Sequence, residues 1–179
     1  MLPSFHMEVT LLENQTLRIK GKKSSLVVDP KKGVAKQTAD AILLLQKNDF
    51  DKTRVSDYRI IVKDPGEYEV GGIKLTGVGE GDSMFYSLNV DNLDMVLANT
   101  STLSKFKEVI TEPKIAILNA DSEVDAEDIT AIEPRVVLLY GEHAKEAAKS
   151  LGKEGLPAVK KYTQAKESLS EETQIVWLA

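Results

Sequence analysis

The order of the predicted elements constrains the fold of this chain most, because the pattern changes near Ser101. Before that point, short strands alternate with turn residues, and the pairs Gly71-Gly72 and Asp91-Asn92 tolerate the left-handed backbone that tight hairpins need. After it, apolar segments of strand length at 115–118 and 136–140 alternate with amphipathic segments that are typical of helices. Hairpins followed by a helix–strand repeat predict two sheets packed face to face, with helices outside them.

The whole chain, residues 1–179, is predicted to form a single domain. A chain of 179 residues, of which 42% are apolar, buries enough surface for one core, and no linker-like stretch divides it. An apolar run of about 18 residues is absent, which excludes a transmembrane helix. The first residues lack the charged and apolar regions of a secretory signal. We therefore expect a cytoplasmic protein that does not bind membranes.

The composition excludes several kinds of metal site and of catalytic nucleophile. The chain has no cysteine, which rules out disulfides, thiolate metal sites, iron–sulfur clusters and a cysteine nucleophile. Only His6 and His143 supply imidazole, so a mechanism that needs three histidines from one chain is also excluded. The net charge of -5 and the pI near 5.2 argue against nucleic-acid binding through a broad basic face.

Five segments, in order along the chain, carry a family resemblance. They are residues 7–19, 26–30 with Asp29-Pro30 at the end, 64–73 with Asp64-Pro65-Gly66 at the start, 125–128, and 133–138. Together they resemble the metallo-β-lactamase superfamily, in particular its small, compact hydrolases, over residues 7–141. The resemblance implies an α+β fold, a four-layer αββα sandwich of two facing mixed sheets, and hydrolysis by a zinc-held hydroxide.

The superfamily holds its zinc with the motif His-x-His-x-Asp-His directly after a buried strand, and this chain departs from that motif. After the apolar run 41–45, the corresponding segment is Lys47-Asn48-Asp49-Phe50-Asp51-Lys52. Lys47, Asp49 and Lys52 stand at the three histidine positions, and Asp51 alone matches. A protonated lysine has no lone pair to offer a metal, and its charge repels a cation.

The later ligand positions of the superfamily also lack an imidazole. Residues 77–82 lie near the next histidine position, and Asn99 or Thr100 stands where a bridging aspartate is expected. Gly141 is nearest to the last histidine position, and His143 follows two residues later. The resemblance therefore implies a degenerate member of the superfamily that has no zinc cofactor.

The segment 47–52 has two interpretations. In one, Lys47 and Lys52 neutralise Asp49 and Asp51 and hold the loop at the place of the missing metal. In the other, the four side chains belong to an ordinary solvated loop between two elements. The first interpretation predicts that replacing Lys52 by alanine loosens the loop and destabilises the fold.

The sequence leaves two main functions open. The first is a metal-free, non-catalytic binding or interaction module that takes a small anionic ligand or a protein partner, with self-association as a further option. The second is a residual hydrolase that uses Asp49, Asp51 or His143, with a hard cation as a possible aid. The predicted ligand cleft is formed by side chains at strand ends and in loops: Lys47, Asp49, Asp51, Lys52, Asp82, Asn99, Thr100, Gly141 and His143.

Overall fold

The structure is a computed structural model that describes residues 6–165 and 168–179. The strands are β1 Met7–Leu11, β2 Leu17–Lys20, β3 Ser25–Val28, β4 Gln37–Thr38, β5 Ala41–Leu43, β6 Val55–Ser56, β7 Ile60–Val62, β8 Gly66–Val70, β9 Ile73–Glu80, β10 Ser83–Val90, β11 Leu93–Asn99, β12 Ile115–Asn119, β13 Val136–Tyr140, β14 Ala158–Val159, β15 Lys161–Gln164 and β16 Gln174–Leu178. The helices are α1 Thr100–Phe106, α2 Ala126–Thr130 and α3 Ala144–Ser150, with 3-10 turns at Glu13–Gln15, Lys52–Arg54 and Lys107–Val109.

Two mixed sheets form the body of the protein. Within the described residues, one sheet has six strands in the order β15-β1-β2-β3-β5-β7, and the other has eight in the order β14-β16-β13-β12-β11-β10-β9-β8. Strands β3, β5 and β7 run parallel to one another, and so do β11, β12, β13 and β16. The hairpin strands that come earlier in each sheet are antiparallel.

The main core lies between the inner faces of the two sheets. Val9 and Leu43 enter it from the six-stranded sheet, and Leu97, Ile117 and Leu138 enter it from the eight-stranded sheet, all fully buried. Because side chains alternate along a strand, the neighbouring residues of these strands face outward. Every strand in the middle of a sheet is therefore apolar on at least one face.

The outer faces of the two sheets are covered differently. Helices α1, α2 and α3 pack on the eight-stranded sheet through Leu103, Ile129 and Ala147. The outer face of the six-stranded sheet is covered by the β4–β6 pair, by Phe50 of the loop before β6 and by Tyr58 of the loop after it. None of the helices in the described part is long and apolar enough to span a bilayer. The predicted class, an α+β sandwich of two facing mixed sheets, is confirmed.

The local predictions hold at the hairpins and fail at one crossover. The turns at Gly71-Gly72 and Asp91-Asn92 have positive φ angles at all four residues, as predicted. The residue pattern of 158–162 predicts a single strand, but these residues form β14 in the eight-stranded sheet and the start of β15 in the six-stranded sheet. The chain crosses between sheets near Lys160, and the apolar pattern of the sequence carries no signal for that change.

Candidate functional site

A row of polar side chains lies at the carboxyl ends of three adjacent parallel strands. Asn99 ends β11, Asn119 ends β12 and Tyr140 ends β13, and the three are direct neighbours in the strand register. They share a face with Ile117 and Leu138, which pack in the core between the sheets. Asn99 is 2% exposed and Tyr140 is 1% exposed. These residues, the polar row, thus close one end of the main core with polar groups.

The polar row has unused hydrogen-bonding capacity. The Nδ2 group of Asn119 donates to Oδ1 of Asn99 at 2.9 Å. Within the described part of the chain, neither Oδ1 of Asn119 nor the Tyr140 hydroxyl has a hydrogen-bond partner, and both atoms are buried. A buried polar atom without a partner costs about 1–3 kcal/mol. A small molecule or ordered water that reaches these two atoms can therefore form hydrogen bonds with groups that otherwise lack a partner.

Gly141 sets the spacing of the polar row. It follows Tyr140 with a φ of +95°, a conformation that favours glycine. A Cβ atom at this position would collide with Oδ1 of Asn119 and lie 3.2 Å from the backbone nitrogen of Ala120. The Asn119 amide therefore occupies space that only glycine leaves open.

Asp29 is a buried carboxyl group at the end of the neighbouring six-stranded sheet. It follows β3, is 7% exposed, and accepts the backbone N–H of Leu45 on Oδ1 at 2.9 Å. Burial raises the pKa of Asp29 from 3.8 to about 6, although backbone hydrogen bonds from Leu45 and Gln46 and the charge of Lys31 oppose the rise. Asp29 thus fixes the end of β5 through the backbone and titrates close to neutral pH.

The phenol of Tyr140 is neutral at physiological pH. Its burial is the main cause that raises the pKa of Tyr140 well above 10, and the negative charges of Asp29 and Asp121 add to the rise. The hydroxyl therefore offers a hydrogen-bond donor and acceptor, and no phenolate nucleophile, to any molecule beside it.

The loop 46–51 is held by the residues that follow β3. The backbone N–H of Asp51 donates to the carbonyl oxygen of Pro30 at 2.6 Å. The Nζ group of Lys31 donates to both the backbone oxygen and Oδ2 of Asp49 at 2.6 Å. The Lys31 side chain is 25% exposed and the Asp49 side chain is 82% exposed. The lysine end of the ion pair is therefore largely shielded from water, whereas the carboxylate end is open to it. The carboxylate of Asp49 is therefore already neutralised from within the chain.

Asp51 is engaged by its own turn. Its Oδ1 accepts from the backbone nitrogen of Thr53 at 3.0 Å and from the Thr53 hydroxyl at 2.5 Å, which caps the 3-10 turn Lys52–Arg54. Its Oδ2 lies 3.5 Å from Nε of Arg54, an ion pair without hydrogen-bond geometry. The Thr53 hydroxyl is the largest of the causes that lower the pKa of Asp51 below 3.8.

The predicted pairing of Lys47 and Lys52 with the two aspartates is wrong in its partners. Lys47 binds elsewhere: its backbone N–H donates to the oxygen of Asp82 at 3.0 Å, and its Nζ lies 3.9 Å from Oδ1 of Asp64. Lys52 is exposed and makes no ion pair with any residue that the structure describes. The loop is thus pinned by charge, as expected, but through residues distant in the sequence.

Two more of the predicted site residues, Thr100 and His143, lie at the starts of helices α1 and α3. Asp121 accepts hydrogen bonds from the Thr100 hydroxyl at 3.2 Å and from the backbone nitrogen and hydroxyl of Ser101 at 3.0 and 2.6 Å. Asp121 thereby caps α1. His143 precedes α3, and its backbone N–H donates to the oxygen of Ala120 at 2.9 Å. The His143 side chain makes no capping bond.

The structure joins only part of the predicted cleft. The backbone N–H of Lys47 binds the backbone oxygen of Asp82, and Asn99 belongs to the polar row, whereas no hydrogen bond or ion pair among the described residues joins Asp49, Asp51 and His143. Four surface cavities of 500–570 Å³ lie elsewhere on the molecule. The prediction missed four buried or capping residues at or just after strand ends: Asp29, Asn119, Asp121 and Tyr140. A polar residue that closes an apolar run is the signal by which they could have been found.

The donor set does not fit a zinc ion. Within residues 6–165 and 168–179, no group of three or more His, Cys, Asp or Glu side chains is placed to hold a metal. At the positions of the superfamily motif, two lysines replace histidines, and both aspartates already bind groups of the chain itself. Zinc needs unprotonated nitrogen, thiolate or free carboxylate donors, which this arrangement does not offer.

Comparison by sequence finds neither a matching family model nor a matching curated protein. Comparison by structure finds clear likenesses. A structure from Thermotoga maritima, assigned to the Zn-dependent hydrolases of the metallo-beta-lactamase superfamily, is similar with a TM-score of 0.73 and 16% identity, over 97% of this chain and 100% of that one.

Two further structures share the fold. One from Parabacteroides distasonis ATCC 8503, assigned as a metal-dependent hydrolase, has a TM-score of 0.61 and 16% identity, over 86% of this chain and 97% of that one. A diphosphatase from the PhnP family has a TM-score of 0.56 and 10% identity, over 84% and 83% of the two chains. These likenesses confirm that the chain has the metallo-β-lactamase fold that its sequence segments resemble.

Proposed function

We propose, with the metallo-β-lactamase fold as the premise, that this protein is a non-catalytic binding module that has lost zinc hydrolysis. The chemistry of segment 47–52 carries the proposal. Lys47 and Lys52 bring positive charge to histidine positions, and Lys31 neutralises Asp49. A divalent ion would have to displace Lys31 and the Thr53 hydroxyl from the two aspartates before it could bind.

The polar row is the proposed floor of the ligand site. The buried Tyr140 hydroxyl and Asn119 Oδ1 supply directional hydrogen bonds that no other described group uses. Lys47, whose Nζ lies 3.9 Å from Oδ1 of Asp64, and the exposed Lys52 supply positive charge on the loop that follows β5. This combination favours a small anionic ligand with a polar body, whose charge the lysines attract and whose hydrogen bonds the row completes.

The residual hydrolase is less favoured by the contacts. Asp49 and Asp51 are held by Lys31 and by Thr53, and His143 contributes a backbone bond at the start of α3. A general base must reach the proton that it removes, and a nucleophile must be free to attack. The two carboxylates are thus engaged by groups of the chain, and the His143 imidazole forms no hydrogen bond or ion pair with either of them among the described residues.

Metal content tests the proposal. Protein expressed with added zinc and manganese is analysed for bound metal after desalting, beside the triple variant Lys47→His, Asp49→His and Lys52→His as the matched control. We expect well under one metal ion per wild-type chain and a higher zinc content in the variant. A near-stoichiometric transition metal in the wild type, with hydrolysis that depends on it, would overturn the proposal.

A further inference from the structure

A cavity on the outer face of the eight-stranded sheet lies apart from the polar row. Its volume is about 570 Å³, and it lies between α3, the segment after it and strand β16. Trp177 and Leu156 form an apolar wall and are partly buried in the outer core. In the strand register, Trp177 lies opposite Leu139 of β13 and Ala158 of the short edge strand β14. Trp177 therefore lies one strand in from the sheet edge, beside the short strand β14.

The rim of this cavity is rich in lysine. Lys145, Lys149 and Lys153 line it at four-residue intervals from α3 onward, and all three are exposed. Two acidic residues also line the cavity, but Glu154 alone forms an ion pair there, with Lys149 at 3.0 Å. Lys145 and Lys153 have no ion pair within the described residues. The rim thus has an excess of positive charge on a protein whose net charge is -5.

Like charges four residues apart on a helix repel each other. An anion beside Lys145 and Lys149 would remove that repulsion, and an apolar body against Trp177 would bury surface that is now in contact with water. A cavity of this size accommodates a ligand of ordinary small-molecule dimensions.

We propose that the cavity beside Trp177 binds a small amphipathic carboxylate, with its apolar body against Trp177 and Leu156 and its charge among the lysines. This proposal is independent of the function proposed for the polar row, because the cavity lies on the opposite face of the eight-stranded sheet. Charge and apolar surface, rather than directional hydrogen bonds, govern recognition here.

The experiment titrates the full chain with octanoate and follows tryptophan fluorescence. Trp177 is the single tryptophan, so the signal reports on this cavity alone. Octanamide, which has the same chain without the charge, is the matched ligand control. We expect saturable binding of octanoate that weakens as salt is added. Octanamide is expected to bind at least about fivefold more weakly than octanoate.

Lysine variants locate the charge. The double variant Lys145→Ala and Lys149→Ala is expected to weaken octanoate binding about fivefold, whereas Lys74→Ala, an exposed lysine outside the cavity, is expected to leave it unchanged. All three lysines are exposed, so folding is preserved. Equal affinity for octanoate and octanamide, unchanged binding in the double variant, or no saturable change in fluorescence would overturn the proposal.

Discussion

Acidification is expected to stabilise the folded protein through Asp29. Burial raises the pKa of Asp29 from 3.8 to about 6, so the folded chain binds this proton more tightly than the unfolded chain does. The stabilisation is fully present below the unfolded pKa and is lost as the pH rises through the folded pKa. A shift of this size corresponds to about 3 kcal/mol in total, of which about 1.3 kcal/mol develops between pH 7 and pH 5.

The variant Asp29→Asn isolates this effect, because it removes the charge and keeps the shape. The amide also faces the backbone N–H of Gln46, which lowers stability by an amount that does not depend on pH. Urea unfolding at pH 7, 6 and 5 gives the free energy of unfolding of both proteins. We expect the wild type to gain about 1.3 kcal/mol relative to the variant at pH 5. A constant difference, or a relative loss by the wild type, would show that the Leu45 and Lys31 interactions outweigh burial.

Four further substitutions test the site by urea or thermal unfolding. Lys31→Ala should lower the free energy of unfolding by about 0.5–1 kcal/mol, because the Lys31 side chain is part-buried against the loop. Lys52→Ala should change it by less than about 0.5 kcal/mol. The reverse order would refute the assigned pairing of Lys31 with Asp49. Gly141→Ala should cost about 2 kcal/mol or more through strain and collision with Asn119, and a neutral result would contradict the described packing. Tyr140→Phe should be neutral or stabilising, and a loss above about 1 kcal/mol would reveal a partner for the hydroxyl.

Local sequence patterns predicted the architecture because they follow local physics. The turn at Asp91-Asn92 needs positive φ at both residues, and these side chains tolerate it. The segments 115–118 and 136–140 are apolar throughout because helices cover one face of the sheet and the second sheet covers the other. Such requirements are visible in a few consecutive residues.

The candidate site depended on contacts that no local pattern encodes. Lys31 lies 18 residues from Asp49, and it binds that residue in place of the adjacent lysines. The polar row unites Asn99, Asn119 and Tyr140, which the chain separates by whole helices and which only the parallel register brings together. The sequence therefore indicated that zinc ligands are replaced, while the groups that fill the site required the fold.

The location of zinc in crystals grown with the metal tests the central claim most directly. Anomalous scattering at the zinc edge shows whether an ion lies beside Asp49 and Asp51. We expect no occupied site there, with Lys31 still bound to Asp49 and the Thr53 hydroxyl still bound to Asp51. A well-occupied zinc ion held by these aspartates, with Lys31 displaced, would contradict the claim that this fold has become a metal-free binding module.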